Sequence, residues 1–327
     1  MTYRLPILSI SLAALLLAQS KTPPAKGVKT PGVQIPLASL KPEAVFDVPG
    51  SPDWLAVGDS VYVSNLPKNA VLRFDPKTNT VAATIAVGSK PCSGLAIGFG
   101  SLWVPNCGDK TISRVDLKTD KVTATFPIGI ADSEGGITIG ADSVWMMTDK
   151  RGTLARIDPA YNHIVTEIPV TPGSYSLAFG EGAVWVSCTE KNLLTRVDPT
   201  TNLVVETIAV GKQPRFLAVG EGGVWTLNQG DGSVTRVDPK TNKVAATIEA
   251  GVPGPGGDIA AGEGSVWVTS FGFPISRIDP ETNKVVQQFV GDGGDALRVG
   301  LGSVWLSNLR QHNVWRLDPK RIRATIQ

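Results

Sequence analysis

Histidine is nearly absent from this chain: among 327 residues only His163 and His312 occur. A Ser-His-Asp arrangement therefore has little to draw on, and Ser93 has no histidine at a fixed distance that would activate it. Cysteine is also scarce, at positions 92, 107 and 188. Three thiols with so little histidine do not make a metal centre. No glycine-rich phosphate loop follows a strand. Charge of one sign is missing as well, since 31 basic residues face 29 acidic ones with the lysines dispersed, so no basic stripe marks a nucleic-acid partner. Helical patterning is scarce too. What the chain does have is 35 glycines, 24 prolines and β-branched runs bounded by turn residues.

The first 20 residues read as a secretory signal: Arg4, an apolar run from Leu5 to Ala18, then small residues at Ala18 and Ser20. The run is too short for a transmembrane anchor, so the mature protein is expected in the periplasm or secreted. No cysteine follows it to take a lipid. Residues 21–41 are rich in lysine and proline and read as a disordered linker. Residues 42–327 then form one domain.

That domain is a repeat. An aromatic recurs at Tyr62, Trp103, Trp145, Trp185, Trp225, Trp267 and Trp305. An Arg-x-Asp pair keeps the same period, from Arg73 and Asp75 to Arg316 and Asp318. Seven units of about 40 residues, each with several short strands, predict an all-β, seven-bladed β-propeller with four antiparallel strands, a to d, per blade. Strand a is a continuous apolar run such as Leu217-Ala218-Val219, ending in a glycine hairpin. Strand b carries the aromatic. Strand c carries Arg-x-Asp and runs into an Asp-Pro-x-Thr-Asn turn, in which proline fixes φ and asparagine tolerates a left-handed backbone. Residues repeated in every blade are scaffold, because one site does not need seven copies of itself. The aromatics are expected to wedge between blades, and the Arg-x-Asp pairs to form ion pairs or turn caps. For closure, residues 44–49 and residues 321–326 both offer a last outer strand.

The strand b tetrads Tyr62-Val63-Ser64-Asn65, Trp267-Val268-Thr269-Ser270 and Trp305-Leu306-Ser307-Asn308 resemble the signature of the YVTN family of exported propellers. With Ile275-Ser276-Arg277-Ile278, the repeats also resemble the streptogramin (virginiamycin B) lyase family, and more loosely NHL-repeat and gluconolactonase-like propellers. The lyase resemblance implies histidines in Pro-His-x-Ile segments at the start of late strands a, within a metal-dependent elimination site. The matching segments here are Pro214-Arg215-Phe216-Leu217 and Gly294-Asp295-Ala296-Leu297, without histidine. This departure argues against lyase activity and leans the chain away from being an enzyme.

In a propeller the d–a and b–c connections open on one face around the channel, where ligands gather. The d–a connections place Asp53, Trp54, Cys92, Glu134, Tyr175, Arg215, Phe216, Asp258 and Asp295 there. The b–c connections add Asn65, Asn106, Asn228 and Asn308. Glu134, Asp258 and Asp295 are candidate ligands for calcium or magnesium, which take oxygen donors. Asp and Asn also cap turns without any ligand, and the recurrence of the asparagines points to that role. Two functions remain: a non-catalytic envelope module presenting the mouth to a protein, peptide, glycan or small molecule, or a metal-assisted lyase or lactone hydrolase. Finally, Cys92 and Cys107 flank the hairpin at Phe99-Gly100 symmetrically, which predicts a disulfide across strands a and b. An exported location supplies the oxidising environment.

Overall fold

The computed structural model describes residues 26–131 and 134–325. Seven antiparallel sheets follow one another in chain order, each with its first strand innermost. Blade one is Pro52–Val57, Val61–Asn65, Ala70–Asp75 and Thr80–Ala86, and blade five is Pro214–Gly220, Gly223–Asn228, Ser233–Asp238 and Lys243–Glu249. Residues 1–20, expected to be a secretory signal, lie outside the described residues. Among the described residues no helix is long and apolar enough to cross a membrane.

The recurrent aromatics are all buried, six of them at 0% exposure. In blades two to seven the indole N–H donates to the carbonyl of the glycine ending strand a, as Trp185 does to Gly180 at 3.1 Å. A buried Trp needs such a partner, and the glycine-terminated hairpin provides it. The Arg-x-Asp pair divides its labour in a way the spacing did not show. The arginine stacks on its own blade's tryptophan, 5.4 Å from ring centroid to guanidinium carbon in blade four, and then crosses to the next blade. There Arg196 donates to Pro239 O at 3.0 Å and Asn242 Oδ1 at 2.8 Å. Arg114, Arg156, Arg236 and Arg316 repeat these contacts. In blade two the turn carries Asp120 where blades one and three to six carry asparagine, and Arg73 meets it as an ion pair at 2.8 Å. The aspartate instead caps its own turn, as Asp238 Oδ1 accepts from Lys240 N at 2.8 Å. The turn asparagines sit at φ of 55° to 58°, as the motif requires.

Closure uses the N-terminal strand. Ala44–Asp47 pairs antiparallel with Asn313–Leu317, so the two chain ends complete blade seven together. The C-terminal alternative becomes a short helix, Pro319–Arg323, capped by Asp318. The linker expectation does not hold for residues 26–41. Gln34–Pro36 adds a fifth, parallel strand to the outer edge of blade six, against Lys284–Val290. Val28, Val33, Leu37 and Leu40 are buried with it. Composition missed this because four scattered apolar side chains suffice once a sheet edge supplies the backbone partners.

The Cys92–Cys107 disulfide is present, with Cα atoms 5.8 Å apart. Its route differs from the symmetric ladder: Ala96 faces Trp103 and Gly98 faces Ser101, but further out Pro91 faces Asn106. The register has slipped by two residues, and the cysteines bridge diagonally between the d–a and b–c loops. Cys188 is the free cysteine and is buried.

Candidate functional site

The d–a and b–c connections converge on one face. A cavity of about 210 Å³ opens there, lined by Asp53, Glu134, Arg215 and Asp295 together with Phe216, Phe271 and the 255–257 loop. Its floor is aromatic. Trp54 and Phe216, each 3% exposed, meet edge to face at 5.8 Å. The Trp54 ring also reaches across the channel to Gly135 of blade three, where a Cβ would lie 3.6 Å from it. The inner strands also surround a second cavity of about 330 Å³, whose lining includes Ile97, Ile139, Phe179, Val219 and Arg298. Gly256, at φ 83°, packs so closely on the Phe271 ring that a side chain would not fit.

The charged residues fall into three groups. Arg215 pairs with Glu134, which also accepts from the Tyr175 hydroxyl at 3.2 Å. The Arg215 guanidinium lies 5.1 Å from the Tyr175 ring and 5.4 Å from the Phe216 ring. Burial and the Glu134 charge push the Tyr175 hydroxyl up to about 12, so it stays a donor. Asp258, 2% exposed, pairs with Arg298 and accepts the N–H groups of Ile259 at 2.8 Å and Leu297 at 3.2 Å. The third group is Asp53 with Asp295, from blades one and seven, which line the same cavity with no arginine paired to either among the described residues. Burial, then the charges of Glu134 and Asp258, raise Asp295 to about 7. Burial and the same neighbours, with Asp295 itself, hold Asp53 well above the usual carboxylate range.

This arrangement corrects two expectations. Glu134, Asp258 and Asp295 do not form one donor set for calcium or magnesium, because Glu134 and Asp258 each already face an arginine, whose charge repels a cation. Among the described residues no three His, Cys, Asp or Glu side chains are grouped to hold a metal. The donor chemistry does not fit the metal the lyase resemblance implies. Second, Asn65, Asn106, Asn228 and Asn308 are at most 2% exposed and face into their own blades. Asn228 donates to Ser233 Oγ and Thr235 Oγ1, both at 2.9 Å, and Asn308 accepts Gly294 N at 2.9 Å. Each fills space beside a d–a glycine, at Gly50, Gly88, Gly211 and Gly293, where a Cβ would clash with the amide. That coupling of glycine and asparagine is itself a sequence signal.

Sequence reasoning missed Arg298. On strand a, the residue facing the blade aromatic is Ala56, Ala96, Thr138, Ala178, Ala218 and Ala260 in blades one to six, but Arg298 in blade seven. The same search for departures from the repeat would have found it on the strand itself. Its guanidinium stands 5.7 Å from the Trp54 ring and brings a second counter-charge beside Arg215. The histidines stay apart from the cavity lining. His163 is exposed at the turn beside Tyr161, and exposed His312 contacts the Gly50 carbonyl.

No protein-family model and no curated protein sequence matches the chain. Solved structures do match in fold. A streptogramin B lyase superposes with a TM-score of 0.69 at 18% identity, covering 84% of this chain and 96% of that one. Virginiamycin B lyase from Staphylococcus aureus gives 0.70 at 15% identity over 84% and 98%. Hydrazine synthase from Kuenenia stuttgartiensis gives 0.70 at 15% identity over 83% and 96%. At these identities the likeness is one of fold: the chain is a seven-bladed propeller of the streptogramin-lyase-like architecture.

Proposed function

We propose that this propeller is an exported binding module of the cell envelope, periplasmic or secreted, which takes a small molecule or the end of a larger partner in its channel mouth. The observation that carries the reading is that the non-repeating charged and aromatic residues, Asp53, Trp54, Glu134, Arg215, Phe216 and Asp295, line one cavity. Concave sites with an apolar floor and few convergent polar groups are the usual form of a ligand pocket. The lyase or lactone hydrolase alternative finds less support. The family's histidine positions hold Arg215 and Asp295, and two candidate metal carboxylates are paired with arginines. A fragment screen by ligand-observed NMR tests the reading. Hits are expected to lose binding in Arg215→Ala and keep it in Glu221→Gln, on a hairpin of the opposite face. Hits indifferent to Arg215→Ala place the site elsewhere. Cell fractionation of the full chain against one lacking residues 1–20 tests export.

A further inference from the structure

We propose that the mouth cavity is built for a primary ammonium group carried on an apolar body with an acceptor oxygen beside it, as in an amino alcohol or a peptide N-terminus. This rests on the mouth-binding reading and names its ligand chemistry.

Three features of the cavity converge on that class. First, the charges do not cancel. Glu134 is matched by Arg215 and Asp258 by Arg298, whereas Asp53 and Asp295, which line the same cavity, have no ion-pair partner among the described residues. A neutral apolar ligand would bury two carboxyls without new partners, and an anion would add repulsion from Asp53, Asp295 and Glu134. An ammonium has three N–H donors and serves both carboxyls at once. Second, the aromatic faces are already occupied. Arg298 lies over Trp54, Arg215 over Phe216, and Arg310 over Phe271 at 4.1 Å. A quaternary ammonium needs an open ring face and finds none, so recognition must run through N–H donors. The ring edges with Pro255 and Leu309 still offer an apolar wall. Third, Arg215 Nε is buried without an acceptor although the residue lines the cavity. A buried donor left unmade is costly, and a ligand oxygen that reached it would relieve that cost. Glu134, Asp258 and Arg215 are the other charged groups acting on the pair. Burial and the two carboxylates hold a proton on the free pair near neutrality, which an incoming ammonium replaces with its own.

Calorimetry with phenylalaninol and its neutral counterpart phenylpropanol tests this near neutral pH. The expected result is binding of phenylalaninol at least about tenfold tighter than phenylpropanol. That preference is expected to vanish in the isosteric Asp53→Asn/Asp295→Asn variant and to persist in Glu221→Gln. Circular dichroism checks that the variant is folded, and Asp295→Asn alone provides a milder second test. Equal binding of the two compounds, with loss of both in Arg215→Ala, would leave the mouth as the site and overturn the ammonium assignment. Absence of phenylalaninol binding, or an unchanged preference in the double Asn variant, also overturns it.

Discussion

The two faces of the propeller are built by opposite rules. On the face of the c–d turns, five of the seven arginines make the same two contacts with the proline carbonyl and asparagine of the next blade, Arg73 meets Asp120, and Arg277 turns to Gln287 and Ser265 of its own blade. On the mouth face the d–a connections carry Asp53, Cys92, Glu134, Tyr175, Arg215, Asp258 and Asp295, so aspartate recurs in three blades and the other four all differ. Repetition on one side spreads stability over most of the blade junctions, while departure on the other concentrates charge and burial at one point. Stability and binding therefore separate by face, and substitutions can test how completely. The largest effect is expected in the shared scaffold. Trp185→Ala removes a fully buried indole packed between blades, and is expected to cost about 3–5 kcal/mol in urea unfolding. Mouth binding should survive in whatever fraction stays folded. An unchanged unfolding midpoint would mean that the strand b aromatics do not carry the ring.

The disulfide blurs the division. Removing Cys92–Cys107, which spans a separation of 15 residues, is expected to cost roughly 3 kcal/mol through the freed loop. The same loop accepts Gly136 N at Ser93 O, 2.8 Å, and so steadies the segment that carries Glu134. Cys92→Ser/Cys107→Ser should then weaken mouth binding, unlike Trp185→Ala. Intact binding in this variant would restore the clean separation. A smaller and purely structural effect is expected from Arg196→Ala, which loses the bonds to Pro239 and Asn242: about 1–2 kcal/mol with ligand affinity unchanged. A change in affinity there would show that the turns communicate with the mouth.

These comparisons also show why some of the molecule was legible in its sequence and some was not. The blades were legible because a strand b aromatic and an Arg-x-Asp pair must recur wherever the same packing recurs. The Cys92–Cys107 bridge was legible because a hairpin brings its flanks together, although the two-residue slip at Pro91 was not, since a bulge leaves no mark in spacing. Closure by Ala44–Asp47 was offered but not separable from the C-terminal alternative, because both are short apolar strands. At the mouth, alignment of the loops found Asp53, Glu134, Arg215, Asp258 and Asp295 but not how they pair. Arg298 sits inside a strand where the eye expects core, and Asp258 and Glu134 look like free carboxylates until the closed ring brings arginines to them.

The last comparison is one of sign. At the c–d turns, Asp75, Asp198 and Asp238 are lowered chiefly by backbone N–H bonds from Lys77, Thr200 and Lys240, and Asp116 chiefly by the Thr119 hydroxyl. A carboxyl lowered in the folded state stabilises above its unfolded value and loses that contribution as pH falls through the folded one. The mouth pair runs the other way. With Asp295 at about 7 and Asp53 raised as well, the folded protein holds more protons than the unfolded chain between the ordinary aspartate value, about 4, and about 7. Stability from the pair is full below about pH 4 and is lost as pH rises through about 7. The wild type should thus lose stability between about pH 5 and pH 8, on the order of 1 kcal/mol once the partial access of water to the pair is allowed for. Asp53→Asn/Asp295→Asn, with no proton to lose, should be flat across that window, while Asp238→Asn should keep the wild-type slope and differ only in acid. Urea unfolding at the two pH values decides it. A wild type as flat as the double variant would mean that the two carboxyls are not held together, and the mouth would then be as ordinary electrostatically as the turns.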